Sequence, residues 1–263
     1  MLREQTFEKL YSMKLHGLAQ AFEEQLRNPD LASLGFEERF AMMVEAQWLW
    51  RENRATKLRL QRAELKIPAA SMEDINYRHP RQLERSLMRS LTSCEWMRQH
   101  QNITLSGPAG IGKTYLCCAL LDYACRQGFT AWYTTAPKFF RQLAIAYADG
   151  SFDRVLSKLA RTDVIAIDDW GLTPLTDMER RYMLEVLDDR SGSRSTILAS
   201  QYKVDRWHEL VGSPTLADSI IERILANSHR IELKGETMRP INRPVASDPK
   251  DQHQPTGTGE EQA

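Results

Sequence analysis

Apolar residues near the start of the chain recur at spacings of three and four. Leu10, Met13, Leu15, Leu18, Ala21, Phe22 and Leu26 form one such series, and it predicts an amphipathic helix because 3.6 residues per turn gathers those positions on one face. Asn28-Pro29-Asp30 breaks the run. A second series begins at 33–36, where Glu37 and Glu38 suit a first helical turn. It continues through Phe40, Met43, Val44, Ala46, Gln47, Trp48 and Trp50, with the two tryptophans expected in the core or at a subunit interface rather than as platforms for bases. Beyond them the helix turns basic: Arg51, Arg54, Lys57, Arg59, Arg62 and Lys66 face only Glu52 and Glu64. That stretch is either a solvated face or a helix contacting phosphates, and the sequence leaves both open.

From 102 onward short apolar runs alternate with helical periods. Strands are predicted at 102–106, 130–135, 164–168, 195–200 and 230–233, with helices at 113–126, 137–148, 152–160 and 177–190. Such alternation implies an α/β fold, a mainly parallel sheet covered by helices on both faces. The segment 67–98 reads as an extended linker followed by a short arginine-rich helix (Arg81, Arg85, Arg89). The expected organisation is therefore a small all-α region at 1–66, the linker at 67–98, the α/β domain at 99–239 and a disordered tail at 240–263, where apolar residues almost vanish.

Composition narrows this little further. The 263 residues allow one large or two small domains. Lys plus Arg (35) balances Asp plus Glu (35), so any affinity for a polyanion must come from local clusters. No stretch approaches the roughly 20 apolar residues needed to span a bilayer, and the charged N-terminus does not read as a signal segment. Cys94, Cys117, Cys118 and Cys125 have neither zinc nor C-x-x-C spacing and fit a reducing, cytoplasmic compartment.

Gly107-Pro108-Ala109-Gly110-Ile111-Gly112-Lys113-Thr114 matches G-x-x-x-x-G-K-[ST] in full. It follows a predicted strand and opens a predicted helix, as a phosphate-cradling loop requires. The glycines let consecutive N–H groups turn inward around phosphate oxygens. Lys113 would reach the β- and γ-phosphates of ATP, the Thr114 hydroxyl would ligate Mg²⁺, and the helix at 113–126, with Tyr115 in its first turn, would add its positive end. Asp168 and Asp169 close the apolar strand Val164-Ile165-Ala166-Ile167. Asp168 is the candidate metal acid, and Asp169 the candidate base for the attacking water.

GPAGIGKT, VIAIDDWG, TILASQ and LADSIIERIL together resemble the AAA+ ATPases of the IstB/DnaC group, and more closely its IstB branch. LHGLAQAFEEQL, FEERFAMMVEAQWLWRENR, IPAASMEDINY and HRIELKGETMR extend the likeness to about Arg239. The resemblance implies a P-loop AAA+ domain behind a small helical domain, without a C-terminal lid. It implies ATP hydrolysis with Mg²⁺ and a bacterial helper protein of insertion-sequence transposition. It places Ser200 at the sensor 1 strand with Gln201 beside it, Arg223 as an arginine finger acting on a neighbouring subunit, and Arg239 as a sensor 2 match. Asp169 stands where most relatives carry Glu. Lys138, Arg141, Arg154, Lys158 and Arg161 fall on helices that face nucleic acid in this clade. The implied partners are duplex DNA, a transposase and further copies of the chain. A DnaC-like helicase loader acting on single-stranded DNA is the nearest alternative. A small-molecule kinase and a module that binds ATP without hydrolysing it are more distant ones.

Overall fold

The computed structural model describes residues 2–238, so Arg239 and the predicted tail lie outside the described residues. Three helices open the chain: α1 (Leu2–Ser12), α2 (His16–Arg27) and the long α3 (Phe36–Ala63). A 3₁₀ turn at Pro29–Ser33 fills the predicted break, with the Asn28 side chain accepting the Asp30 N–H. α2 packs along α3, and Gly17 makes this close: a Cβ there would lie 2.6 Å from the Ala46 carbonyl oxygen. Trp48 is 57 % exposed, so it does not belong to the core of this chain.

The linker is a packed segment rather than an extended one. Ala63 at the end of α3, then Ala70, Met72 and Ile75, are buried in the same cluster as the helix that follows the P-loop. The boundary expected at residue 66 therefore runs through continuous packing, because the last turns of α3 lie on the α/β domain. Two short helices, α4 (Arg85–Leu91) and α5 (Glu95–Arg98), lead into the sheet.

The α/β domain then runs β1 (Asn102–Ser106), α6 (Lys113–Arg126), β2 (Ala131–Thr135), α7 (Ala136–Ala148), α8 (Phe152–Arg161), β3 (Val164–Trp170), α9 (Asp177–Arg190), β4 (Ser195–Ser200), α10 (Trp207–Val211), α11 (Pro214–Leu225) and β5 (Ser228–Glu232). The five strands are parallel, in the order β2-β3-β4-β1-β5. β1, β3 and β4 are almost wholly buried because helices cover both sheet faces. Local chemistry sets the helix starts. Pro137 and Pro214 occupy first turns, and Thr176 with Glu179 forms a reciprocal capping box on α9.

The C-terminal ends of the strands share one edge of the sheet. β4 lies between β1 and β3, so the P-loop after β1 and the acids ending β3 flank the end of β4. Among the described residues no helix is long and apolar enough to cross a membrane.

Candidate nucleotide site

The loop between β1 and α6 is held from beneath and behind. Gly107 has φ +147° and Gly112 has φ +101°, backbone that favours glycine. Space makes the same demand: a Cβ on Gly107 would lie 2.4 Å from the Leu233 carbonyl oxygen, and one on Gly112 2.3 Å from Arg81 Nη1. Gly112 is the N-cap of α6, so the positive end of that helix opens toward the loop. The Lys113 ammonium donates to the Gly107 and Pro108 carbonyl oxygens, at 2.6 and 2.9 Å.

The acids ending β3 meet this loop. The Thr114 hydroxyl donates to Asp168 Oδ2 at 2.5 Å, and the Tyr133 phenol on β2 donates to the same oxygen at 2.9 Å. Asp168 is 1 % exposed. Burial, then the adjacent Asp168 charge, pushes the Tyr133 phenol far above its ordinary pKa, so it remains a donor. A hydroxyl and a carboxylate oxygen converging at the foot of a P-loop are hard oxygen donors of the type Mg²⁺ prefers. The residues present therefore fit the ion.

Asp169 adopts φ +59°, and the β3–β4 register shifts between Ile167 and Trp170. This bulge re-aims the second acid, which lines the nucleotide cavity on one side and a second cavity on the other. Asp is among the few residues besides Gly that tolerate this left-handed backbone. Its backbone N–H donates to Asp168 Oδ1 at 2.8 Å, which holds the Asp168 carboxylate against the bulge.

The nucleotide cavity, about 260 Å³, is walled by the P-loop, Lys66, Ile67, Tyr115, Asp168, Asp169, Gln201 and Met238. Larger cavities exist in the molecule, and it is the convergence of chemistry that singles this one out. Gln201 reaches it. Ser200 does not: its hydroxyl is fully buried, donates to the Trp170 carbonyl and accepts the Tyr202 N–H.

Arg223 lies elsewhere. It sits near the end of α11, where its own carbonyl accepts a hydrogen bond from Asn102 at the start of β1, the opposite end from the P-loop. Its guanidinium is paired with Asp188 of α9 and donates to the Ser219 carbonyl. The other cations divide between two places. Arg154, Lys158 and Arg161 line one cavity on α8, whereas Arg141 lines the separate cavity bounded by Asp169, and Lys138 is exposed on α7.

Sequence reasoning gave four contributors no role in this site. Lys66 and Ile67 arrive from the segment after α3, and Met238 from beyond β5; Lys66 was read only as part of the basic stretch, and Ile67 and Met238 only within segments of family likeness. Arg81 is the fourth. It is 2 % exposed, donates to the carbonyls of Ile111 at 2.9 Å and Asn76 at 3.2 Å, and meets Met238 Sδ at 3.2 Å. Its only sequence signal was membership of an arginine-rich stretch.

Comparisons with known proteins agree with this geometry. An insertion-sequence ATP-binding protein of Sinorhizobium fredii, y4pL, is 41 % identical over 239 residues, covering 91 % of this chain and 97 % of the relative. The ATP-binding protein of insertion sequence IS1162 from Pseudomonas fluorescens is 44 % identical over 201 residues, 76 % of this chain and 87 % of the relative. Among solved structures, the DnaI crystal structure aligns with a TM-score of 0.54 at 19 % identity, over 65 % of this chain and 91 % of that one. The DnaC helicase loader aligns at 0.53 and 18 % identity, over 63 % and 97 %. These two likenesses show the fold. Residues 8–246 match the family model described as IstB-like ATP binding protein, and with the P-loop, paired acids and parallel sheet in place, the chain belongs to that family.

Proposed function

We propose that this protein is an ATP-hydrolysing helper of insertion-sequence transposition. It assembles on duplex DNA when ATP is bound, deforms the duplex and presents it to the transposase, and hydrolysis dismantles the assembly. The observation that carries the reading is the division of the catalytic set. Lys113, Thr114, Asp168, Asp169 and Gln201 gather at one edge of the sheet, while Arg223 lies at the other, where it would serve a neighbour's site.

The P-loop N–H groups from Ala109 to Tyr115 surround the phosphates, and Lys113 exchanges the Gly107 and Pro108 carbonyls for phosphate oxygens. Thr114 and Asp168 would hold Mg²⁺, which would supply neutralisation of the phosphate charge. Asp169 takes a proton from the attacking water as its oxygen bonds to the γ-phosphorus, and the bridging oxygen leaves with ADP. Gln201, rather than Ser200, orients that water or the γ-phosphate, since the Ser200 hydroxyl is committed to backbone partners. Arg223 leaves Asp188 to stabilise charge on the γ-phosphoryl group of the adjoining subunit. Lys138, Arg141, Arg154, Lys158 and Arg161 contact DNA phosphates without reading bases. Bending the duplex costs several kcal/mol, which many such contacts in an oligomer offset.

The insertion-sequence relatives, at 41 % and 44 % identity, support this over a helicase-loader role, because the loaders share only the fold. Sedimentation with a slowly hydrolysed ATP analogue tests the choice. A large particle formed only with nucleotide and duplex is expected. Assembly on single strands alone would favour a loader, and a monomer under every condition would refute the shared site.

A further inference from the structure

The basic end of α3 and the basic face of α8 meet. On α8, Arg154, Lys158 and Arg161 are spaced by four and three residues and so share one face. Phe152, Val155, Leu156 and Leu159 turn the other way, into the core beside β3. On α3, Arg59 and Arg62 are likewise one turn apart. Both sets line a single open cavity of about 580 Å³, together with Thr130, Ser157 and Thr162, and no carboxylate lines it. Glu64 and Asp149 line the adjoining cavity instead.

None of Arg62, Arg154, Lys158 and Arg161 forms an ion pair among the described residues. The arginines and lysines elsewhere on the surface often do, as Arg27 does with Glu23, Arg126 with Asp122 and Lys203 with Glu232. Five converging cations repel one another, and an anion in the cleft relieves that repulsion. The one aromatic ring in the lining, Trp132, is 8 % exposed and its N–H donates to Glu64 at 3.3 Å. No face is open for a base to stack on, so the cleft is suited to phosphates and indifferent to sequence.

From this we infer that the cleft between α3 and α8 is a phosphate-binding site for the backbone of nucleic acid, completed by Arg59 and Arg62. The inference rests on the DNA-binding reading above and adds to it. One run of phosphates lying in the cleft touches the N-terminal helices and the ATPase domain together, which ties the orientation of α3 to the DNA. Three further cations in the C-terminal half of α3, Arg51, Arg54 and Lys57, are exposed and continue the basic surface away from the cleft.

The test is duplex binding by the full chain with ATP analogue, over a series of salt concentrations, for Arg62→Gln, Arg161→Gln and the double variant. Each substituted side chain is exposed, so folding is not at stake. Each loss of a phosphate contact lowers the slope of log K against log salt by about 0.9 and weakens binding about eightfold at 0.1 M salt. Lys9→Gln, an exposed change on α1, leaves both unchanged. Wild-type affinity and slope in the double variant would overturn the cleft while leaving the DNA reading intact. If the wild type itself fails to bind duplex, that reading falls. In that case inorganic tripolyphosphate binding to Lys113→Ala, lost on adding Arg62→Gln and Arg161→Gln, would reassign the cleft to free polyphosphate. Polyglutamate binding in place of duplex, lost in the same variants, would reassign it to an acidic protein segment.

Discussion

Gly112→Ala offers a test of how the P-loop is held. Two costs are separable there. The first is backbone: an L-residue at φ +101° is strained by about 1–2 kcal/mol. The second is contact: the new Cβ would lie 2.3 Å from Arg81 Nη1. Arg81 cannot simply withdraw, because its guanidinium is bonded to the Ile111 and Asn76 carbonyls in a site that excludes water. Overpacking of this kind costs about 1–3 kcal/mol. Gly128→Ala provides the control, since Gly128 has φ +95° with nothing within 4 Å of its would-be Cβ. Calorimetry of the nucleotide-free protein should place the Gly112→Ala midpoint a further roughly 2–12 °C below that of Gly128→Ala, at about 2–4 °C per kcal/mol for a chain of this size. Arg81→Met in the Gly112→Ala background should recover part of the difference. Equal midpoints for the two alanine variants would refute the idea that Arg81 buttresses the loop.

Asp169→Asn should preserve fold and ATP binding, because Asn also tolerates left-handed backbone, yet slow hydrolysis about 10²–10⁴-fold, as phosphate release would show; near-normal turnover would remove Asp169 from the role of base. Arg223→Ala breaks a half-exposed ion pair with Asp188, so stability should change by less than about 1 kcal/mol. The same change should cut ATP hydrolysis about 10³-fold or more, and mixing with a Lys113→Ala chain, which keeps Arg223, should restore activity if the arginine acts between subunits. All four cysteines are buried, and burial raises each thiol pKa, Cys125 to about 11 and Cys117 well above its ordinary value. Thiol reagents should therefore react slowly with the native protein and rapidly after denaturation, at neutral pH.

The parts of the site that were legible in the sequence are those whose chemistry is local. The P-loop needs eight consecutive residues, and the acid proposed to hold the metal stands at the end of an apolar strand. The strands and the helices α6 to α9 followed from periodicity, with β3 running on to Trp170 because the bulge at Asp169 keeps its backbone paired past the acids, whereas α10 and α11 were not among the predicted elements. What stayed hidden depends on residues far apart in the chain. Ile67 and Met238 meet at the nucleotide cavity only after the sheet forms. Ser200 and Gln201 could not be separated by type, since the choice turns on which side chain the backbone already uses. The five cations of α7 and α8 look alike in sequence, but Arg141 lines one cavity, Arg154, Lys158 and Arg161 another, and Lys138 neither, because α7 and α8 present different faces.

The contact of Met238 with the P-loop has a consequence for synthesis. Its N–H donates to the Gly110 carbonyl at 2.9 Å, and its sulfur meets Arg81, 157 positions earlier in the chain. At about 5–20 residues per second, a nascent chain spends roughly 8–30 s with the arginine made and this partner missing. Throughout that interval the loop lacks one of its supports. Full nucleotide affinity is therefore expected only once Met238 is free to reach the loop, and released chains truncated before and after residue 238 would differ in it.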